Sequence, residues 1–419
     1  MEVNRRDFMK ATALTAVGAL AVSGAVATVR AQGGGTVPAP TPTPTPTQAV
    51  TPIATSTPTS PDTPPAPPDE QPPDLEVPQP VERKIGWAVV GLGTLALEEV
   101  MPAFRESKLG QPVALVSGHP DKAQQVAAVY GIDPANLYNY ENYDSIADNA
   151  LIEAVYIILP NSLHAEYTIR GLQAGKHVLC EKPMAPTVEE CEQMIAAGQE
   201  TGRKLMIAYR LHYEPLNLKV KELCEQGAYG PIRTISSSNC QITEAPNIRL
   251  SRELGGGPVG DIGIYSINTA RWMTGEEPVE VTAYAQQTDD PRFREVPTSV
   301  SFMLRFPSGI LAHCDCSFDA STSRRYRIHC QQGYIDMDPG FSYEGLQLRV
   351  KTGEEDQGDV SETQLRIPQL NQFAAEIDHF SECILNDTDP RTPGEEGLAD
   401  MRVILAVEEA YRNGSPVAL

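Results

Sequence analysis

Short apolar runs alternate with segments of helical periodicity between residue 84 and about residue 208. Five runs of mostly aliphatic residues end in turn residues, and they read KIGWAVVGLG, PVALVSG, AVYIILPN, KHVLCEKP and KLMIAYR. Between them lie segments with apolar positions three or four residues apart, such as SLHAEYTIRGLQAG and TVEECEQMIAAGQETG. Apolar strands separated by helices predict a parallel sheet that is covered on both faces.

The pattern changes after about Leu211. One helical segment, PLNLKVKELCEQG, leads into strand-like runs at irregular intervals: IRTISSSN, VEVTAYAQQ, SVSFMLRF, ILAHCDCSF, RRYRIHCQ, GYIDMD and LQLRV. Strands that follow one another without helices predict a mostly antiparallel sheet. Two closing helical segments, QFAAEIDHFSECILN and GLADMRVILAVEEAYRNG, are expected to pack back near the junction. The sequence thus predicts an α/β domain at residues 82–208 and an α+β domain with a large open sheet at residues 209–419.

The first 31 residues have the layout of a twin-arginine export signal. NRRDFMK precedes a stretch of Ala, Val, Gly and Thr at residues 11–29, and VRA ends at Ala31, a plausible cleavage site. A membrane anchor is the alternative, but the stretch is short and weakly hydrophobic for a stable span. We therefore expect export, to the periplasm or elsewhere outside the cytoplasm, and no membrane attachment after signal removal.

Residues 32–81 form a Pro/Thr-rich segment that contains TPTPTPTQAVTPIATSTPTSPDTPPAPPDE. This composition cannot bury a core and favours extended polyproline II. At about 3.1 Å per residue the segment can reach on the order of 150 Å. It is either an arm that crosses a neighbouring subunit or a spacer without fixed structure.

Length and charge narrow the class of function. A chain of 419 residues exceeds one typical core, which agrees with two domains. The formal net charge of −22 argues against nucleic acid or an anionic membrane as partner, and for small molecules. The HCDC run at residues 313–316 resembles a metal cluster, but on a strand His313 and Asp315 point away from Cys314 and Cys316. No metal site is predicted.

A dinucleotide fingerprint follows the first predicted strand. Gly91, Gly93 and Ala96 form the pattern G-x-G-x-x-A, where a strand turns into a helix. The first glycine permits the tight turn, the second admits the pyrophosphate to the backbone, and Ala96 lets the helix sit close. The first domain is therefore predicted to be a Rossmann domain that binds a nicotinamide dinucleotide.

The end of the second predicted strand favours NADP over NAD. It reads VSGHPDK, so Ser117, Gly118 and Lys122 stand where NAD-binding proteins carry a carboxylate for the ribose hydroxyl. A hydroxyl, a glycine and an amine suit a 2′-phosphate. If Lys122 is only a solvated helix residue, the protein is indifferent between the two nucleotides.

Candidate catalytic residues stand at the carboxyl ends of the later strands. Lys182 lies in EKP after the fourth predicted strand, and a lysine in a partly dry cleft can steady the charge that develops on a carbinol oxygen. Asp261 and Tyr265 in GGGPVGDIGIYSIN are four residues apart, so a helix places them on one face. The alternative for EKP is a salt-bridged structural turn.

These motifs together resemble one oxidoreductase family. GLG, PNSLHAEY, GKHVLCEKPMA, MIAYRLHYEP and GDIGIYSIN…GEEP are similar to the glucose–fructose oxidoreductase, inositol dehydrogenase and rhizopine-catabolism (Gfo/Idh/MocA) family, and the exported glucose–fructose oxidoreductase branch is most similar. The resemblance runs from about residue 84 to the C-terminus. The family's inositol dehydrogenases carry histidine where this chain has Tyr265, which indicates the sugar branch.

The resemblance implies roles for individual residues. It implies that Lys182, Asp261 and Tyr265 are catalytic, and that a bound NADP is held by a set of residues from the first domain and its edge. This predicted cofactor set is Gly91, Leu92, Gly93, Thr94, Ser117, Lys122, Tyr140, Leu159, Asn161, His164, Glu181, Lys182 and Arg210. It further implies a homo-oligomer, dimer or tetramer, formed through the open sheet, and an N-terminal arm that lies on the neighbouring subunit.

The expected function is an NADP-dependent sugar oxidoreductase that retains its cofactor, oxidises an aldose to a lactone and reduces a second sugar to an alditol. An ordinary NAD(P)-dependent sugar or polyol dehydrogenase is the first alternative. An NAD-dependent glycosidase and a non-catalytic sugar-binding protein are less favoured, because the Lys/Asp/Tyr set is intact.

Overall fold

The structure is a computed structural model that describes residues 83–353 and 360–419. The predicted export signal at residues 1–31 and the Pro/Thr-rich segment at residues 32–81 lie outside the described residues. Within the described ranges, none of the helices combines the length and the apolar character that spanning a membrane requires.

Six parallel strands form the first sheet, in the order β3-β2-β1-β4-β5-β6. The strands are β1 (Ile85–Val90), β2 (Gly110–Val116), β3 (Leu137–Tyr138), β4 (Ala154–Ile157), β5 (His177–Glu181) and β6 (Leu205–Ala208). The predicted parallel sheet is confirmed. Strand β3 was not predicted, since two residues are too few to show a hydrophobic period.

Strand β1 is central to this sheet and is buried along its whole length. Ala88 and Val90 belong to the apolar cluster on one face, and Trp87 and Val89 belong to the cluster on the other. The order of the strands reverses beside β1, because β2 pairs on one side and β4 on the other. In sheets of this kind, the crevice at the carboxyl ends of the strands next to that point is where ligands bind.

The described residues contain eight α-helices and two π-helical turns. The helices are α1 (Met101–Glu106), α2 (Pro120–Tyr130), α3 (His164–Gln173), α4 (Val188–Thr201), α5 (Pro215–Glu225), α6 (Ile264–Thr274), α7 (Gln372–Asn386) and α8 (Gly394–Asn413). The π-helical turns, Ala96–Val100 and Val259–Gly263, lead directly into α1 and α6.

Helix α4 shows how local sequence sets these boundaries. The Thr187 hydroxyl accepts the backbone N–H of Glu190 at 3.1 Å and donates to the Glu190 carboxylate at 3.1 Å. This capping arrangement satisfies one of the unpaired N–H groups at the helix start. The helix begins immediately after the segment that carries Lys182, so the cap fixes where that segment ends.

Nine strands form the second sheet, in the order β14-β13-β12-β11-β7-β10-β9-β8-β15. The strands are β7 (Ile232–Ile242), β8 (Glu280–Gln286), β9 (Ser299–Arg305), β10 (Leu311–Ser317), β11 (Asp319–Cys330), β12 (Gly333–Met337), β13 (Leu348–Thr352), β14 (Ser361–Leu365) and β15 (Val417–Ala418). Only the β7–β10 pairing in this sheet is parallel, and the predicted mostly antiparallel second domain is confirmed. Strands β14 and β15 were not predicted, because one is polar and exposed and the other has two residues.

Strand β10 carries the HCDC run. Cys314 and Cys316 are buried, whereas His313 is exposed and Asp315 is partly exposed. The four side chains thus alternate between the two faces of the sheet. Among the described residues, no group of three or more His, Cys, Asp or Glu side chains is arranged to hold a metal ion.

The last two α-helices return to the first sheet. The indole N–H of Trp87 on β1 donates to the Ser381 hydroxyl of α7 at 3.2 Å, and the Phe380 ring lies 5.7 Å from the Trp87 ring. Beside β6, the backbone N–H of Ile207 donates to the carbonyl of Thr392 at 2.8 Å. Helix α7 therefore covers one face of the parallel sheet.

Candidate active site

The glycine turn after β1 leaves room for a ligand against its backbone. Gly91 has φ of +95°, and a Cβ at this position would lie 2.2 Å from the carbonyl oxygen of Ile158, so only glycine fits. A Cβ at Gly93 would meet nothing within 4 Å. Gly93 and Thr94 are exposed, whereas Leu92 is buried. This turn fits the pyrophosphate of a dinucleotide.

The end of β2 lies beside that turn. Ser117 is buried, and its hydroxyl accepts the backbone N–H of His119 at 3.1 Å. The Lys122 ammonium donates to the carbonyl of Leu92 at 3.2 Å, so it reaches back to the glycine turn. Tyr140 is half-buried, packs edge-on against Tyr167 at 5.5 Å, and has a pKa raised to about 12 by burial. This edge offers an amine and no carboxylate at the strand end, which suits a 2′-phosphate.

Lys182 directly follows β5 and meets two residues of the second domain. Its ammonium donates to the backbone carbonyl of Asp261 at 2.7 Å and lies 3.8 Å from that residue's Oδ1. It also lies 4.8 Å from the centroid of the Tyr265 ring. The three residues predicted to be catalytic are thus brought together, although Lys182 and Asp261 are 79 positions apart in the chain.

The helix that carries Asp261 and Tyr265 is not regular. Asp261 lies in the π-helical turn Val259–Gly263, and Tyr265 lies in the first turn of α6. Sequence predicted a helix with both side chains on one face, and the structure reaches that result through a π-helical turn. Such turns are rare and occur frequently at functional sites.

Arg249 is a further member of the site, and sequence reasoning did not identify it. Its Nε donates to Asp261 Oδ2 at 2.7 Å, so the two oxygens of Asp261 face two cations. The Asp261 carboxylate raises the pKa of Arg249. Arg249 comes from the short 3-10 turn Ile248–Leu250, and no spacing relates this turn to Asp261 in advance.

Arg210 is a second cation next to the Tyr265 ring. Its guanidinium carbon is 5.0 Å from the Tyr265 ring centroid and 4.5 Å from that of Tyr343. It donates to the side-chain oxygen of Gln372 and, at 2.6 Å, to the carbonyl of Phe341. Arg210 is only 4% exposed, so it contacts the Tyr265 ring from the protein interior. Gln372 on α7 was not predicted, because it lies far along the chain in no recognisable motif.

His164 was predicted as a cofactor contact, and in the structure its side chain contacts the protein itself. It is fully buried, with Nδ1 at 2.9 Å from the carbonyl of Pro183 and Nε2 at 2.9 Å from the carbonyl of Leu159. Burial lowers its pKa. The neutral ring has one N–H and donates to one of these two carbonyls, and through these contacts His164 joins the loop after β4 to the segment after Lys182.

Asn161 connects the same loop to the second domain. Its side-chain N–H donates to the carbonyl of Gly255 at 2.8 Å. Gly255 has φ of +77°, and a Cβ there would lie 2.8 Å from the Asn161 Cβ, so glycine permits this approach. Leu159, in the loop before it, is 8% exposed. These contacts hold the segment before Asp261 against the edge of the parallel sheet.

The arrangement can support proton transfer at a carbinol. Tyr265 provides a hydroxyl, and Lys182 and Arg210 place two positive charges at its ring, where they attract negative charge that develops nearby. Asp261 is held by Lys182 and Arg249 and has oxygens that can accept from a substrate hydroxyl. The cluster lies at the carboxyl edge of a sheet whose glycine turn fits a dinucleotide.

Two family models match the chain. The oxidoreductase family with an NAD-binding Rossmann fold matches residues 85–209, and the GFO/IDH/MocA C-terminal domain matches residues 217–336. The D-xylose 1-dehydrogenase [NADP(+)] of Haloarcula marismortui is 31% identical over 354 residues, which are 83% of this chain and 96% of that protein.

Solved structures agree with these matches. An aldose-aldose oxidoreductase from Caulobacter crescentus, complexed with glycerol, is 44% identical with a TM-score of 0.77, and the match covers 80% of this chain and 100% of that one. A 3-ketoreductase from Actinomadura kijaniata, solved with TDP-benzene and NADP, is 26% identical with a TM-score of 0.70, and the match covers 78% of this chain and 98% of that one. Sequence, fold and extent of coverage confirm the family that the motifs suggested: the chain belongs to the Gfo/Idh/MocA family of NAD(P)-dependent oxidoreductases.

Proposed function

We propose that this protein is an exported, NADP-dependent sugar oxidoreductase of the glucose–fructose oxidoreductase type, which oxidises an aldose to a lactone and reduces a second sugar to an alditol. The observation that carries the proposal is the contact of Lys182 with both Asp261 and Tyr265 at the carboxyl edge of the parallel sheet. When bound, the nicotinamide nucleotide accepts a hydride from one sugar and gives it to the next.

The residues of the chain handle the proton and the charge. Tyr265, as a tyrosinate beside the Lys182 ammonium, takes the hydroxyl proton of the sugar that is oxidised, and the phenol so formed gives that proton to the sugar that is reduced. From its position over the Tyr265 ring, Lys182 stabilises the negative charge that develops on the sugar oxygen, both in the oxidation and in the reduction. Asp261, fixed by Lys182 and Arg249, orients a sugar hydroxyl by accepting its hydrogen bond.

The edge near β2 supports NADP as the nucleotide. Lys122 and Ser117 would hold the 2′-phosphate, and the turn at Gly91 and Gly93 would hold the pyrophosphate. The Haloarcula relative is an NADP-dependent D-xylose 1-dehydrogenase and the Actinomadura 3-ketoreductase was solved with NADP, which agrees with this assignment. The Caulobacter relative is an aldose-aldose oxidoreductase, which supports sugars on both sides of the reaction.

Export and retention of the cofactor go together in this proposal. The twin-arginine pattern at residues 1–31 favours a protein that folds around its nucleotide in the cytoplasm. Outside the cytoplasm no exchangeable NADP pool exists, so two sugars must be processed on one retained nucleotide. We further propose that the protein is a homo-oligomer and that the arm at residues 32–81 lies on a neighbouring subunit.

An ordinary sugar dehydrogenase is the second candidate. The activity of the Haloarcula relative, a D-xylose 1-dehydrogenase, favours this candidate. The two candidates differ in one observable property, because an ordinary dehydrogenase releases its nucleotide after each turnover and a recycling enzyme does not.

The deciding assay supplies sugars to the purified protein without added nucleotide. One sample receives an aldose alone, one receives an aldose and a ketose, and a third receives an aldose with added NADP. Equal amounts of lactone and alditol without added nucleotide establish recycling. Their formation in the first sample shows that an aldose is the hydride acceptor, and their formation only in the second sample shows that the ketose is. Oxidation only in the third sample supports the ordinary dehydrogenase. No conversion in any sample, with nucleotide still bound, refutes both, and a Tyr265→Phe protein provides the background rate.

A further inference from the structure

Three acidic or phenolic side chains meet under the segment that carries Lys182. Glu181 ends β5, Tyr156 lies on β4, and Glu376 lies on α7. The Tyr156 hydroxyl is 2.8 Å from Glu181 Oε1 and 3.3 Å from Glu376 Oε2. Tyr156 and Glu376 are fully buried, and Glu181 is 7% exposed.

Counting hydrogens shows that this group cannot consist of two carboxylates and one tyrosine. A tyrosine hydroxyl has a single hydrogen, and an ionised carboxylate only accepts. If both glutamates were ionised, one carboxylate oxygen would face the Tyr156 oxygen with no hydrogen between them. A proton on one of the glutamates gives both contacts a hydrogen bond, because that glutamate then donates to Tyr156 and Tyr156 donates to the other glutamate.

The remaining contacts indicate which glutamate carries the proton. Glu376 Oε1 is buried and has no hydrogen-bond partner in the described residues. Burying an unpartnered oxygen costs far less free energy when it is the carbonyl oxygen of a neutral acid than when it shares the negative charge of a carboxylate. Burial raises the pKa of Glu181 as well, but Lys182, its neighbour in the chain, and the Tyr156 hydroxyl both oppose that effect. Among the described residues neither glutamate forms an ion pair. The donors of Arg210 go to Gln372 and to backbone carbonyls, and its Nε has no partner.

Other titratable groups near Glu376 do not change this assignment. Burial raises the pKa of Glu376 well above its usual range, and Arg210 and the Tyr156 hydroxyl oppose that effect. Glu181 on β5 raises it further. Burial and Glu376 raise the pKa of Tyr213, after β6, so this residue stays a neutral phenol and adds no charge.

We propose that Glu376 is protonated and donates to Tyr156, and that Tyr156 in turn donates to an ionised Glu181. Glu376 and Tyr156 are then positioning residues: they fix the Glu181 carboxylate beside Lys182 at the end of the site where the cofactor is proposed to bind. The protonation state does not depend on the reaction, whereas the effect on turnover rests on the proposed function.

Infrared difference spectroscopy tests the proton directly and needs no substrate. The wild-type protein at neutral pH is compared with Glu376→Gln, which cannot ionise but can donate an N–H to Tyr156. Glu382→Gln is the matched control, because Glu382 is an exposed glutamate on the same helix. The carbonyl stretch of a protonated carboxylic acid should be present in the wild type and in the control, and absent from Glu376→Gln.

A second variant keeps the test decisive if Glu376→Gln does not fold. Tyr156→Phe removes the acceptor of the Glu376 proton, so the carbonyl stretch should persist and shift to higher frequency. A spectrum without this stretch in the wild type, or a stretch that neither substitution changes, overturns the proposal. Turnover is measured alongside: Glu376→Gln should stay within about threefold of wild type, whereas Tyr156→Phe should lose on the order of tenfold, as is usual for residues that support a site through hydrogen bonds. An equal loss of turnover in both variants would contradict the proposed role of a neutral Glu376 in the site.

Discussion

The turn that carries Arg210 should make the protein sensitive to acid. His212 lies in the same 3-10 turn, Arg210–Tyr213, stacks on Trp272 with ring centroids 3.9 Å apart, and is 3% exposed. Its Nε2 donates to the side-chain oxygen of Asn268 at 2.8 Å. Burial lowers the pKa of His212 to about 3, so the folded protein keeps this ring neutral where the unfolded chain protonates it.

The sign and size of the effect follow from linkage. Below a pH of about 6.5 the unfolded chain binds a proton at His212 and the folded protein does not, so stability falls as the pH falls. The loss continues until the pH reaches the folded pKa of about 3. Between pH 7 and pH 5 the contribution of this one histidine is about 2 kcal/mol.

Denaturant unfolding at the two pH values measures that contribution. A His212→Gln protein has no titrating group at this position, so its free energy of unfolding should change with pH by about 2 kcal/mol less than that of the wild type. Other histidines contribute equally to both proteins and cancel in the difference. An identical pH dependence in the two proteins would refute the reasoning, whatever the absolute stability of the variant.

Three further predictions concern the site itself. Tyr265→Phe should lower turnover by about a hundredfold or more with nucleotide still bound, because the hydroxyl carries the proton; turnover near that of the wild type, with nucleotide content checked after denaturation, would contradict this role. Lys122→Ala should weaken NADP binding by about tenfold or more and NAD binding by much less, since both nucleotides use the glycine turn that Lys122 contacts but only NADP has a 2′-phosphate for the amine; titration of nucleotide-stripped protein measures both, and equal losses would argue against the assignment. Arg249→Gln should lower turnover by on the order of tenfold and Arg249→Lys by less, because Asp261 loses a charged partner in the first and keeps one in the second; steady-state rates that stay at the wild-type value in both would show that Lys182 alone holds the carboxylate.

Sequence predicted those strands and helices that are long enough, and buried enough on one face, to show a hydrophobic pattern. Five parallel strands, seven strands of the second sheet and both closing helices follow from runs of five or more patterned residues. Strands β3 and β15 have two residues each, and β14 is exposed, so none of them has a buried face to produce a pattern. Their pairing is determined by the neighbouring strand, which sequence periodicity does not describe.

The residues of the candidate site likewise fall into those that local motifs predicted and those that only the fold brings in. Lys182, Asp261 and Tyr265 stand next to a strand end or within a glycine-rich helix start, so local motifs pointed to them. Arg249 and Glu376 are brought in by a loop and by a distant helix, and no spacing in the chain relates them to the others. For His164 the sequence indicated only a possible cofactor contact, and it could not show that the side chain is buried between two backbone carbonyls.

The support for the site comes largely from the C-terminal part of the chain. Gln372 on α7 holds Arg210 against Tyr265, and Glu376, one turn later on the same helix, reaches Glu181 through Tyr156. The parallel-sheet domain provides the strand ends, but the charges there are positioned by a helix that follows the entire second domain. Because α7 is fixed to β1 by the hydrogen bond from Trp87, the charge arrangement beside Lys182 depends on the packing of this helix on the first sheet. Under the proposed function, a nucleotide bound at that edge would therefore favour the docked helix, as retention of the cofactor requires.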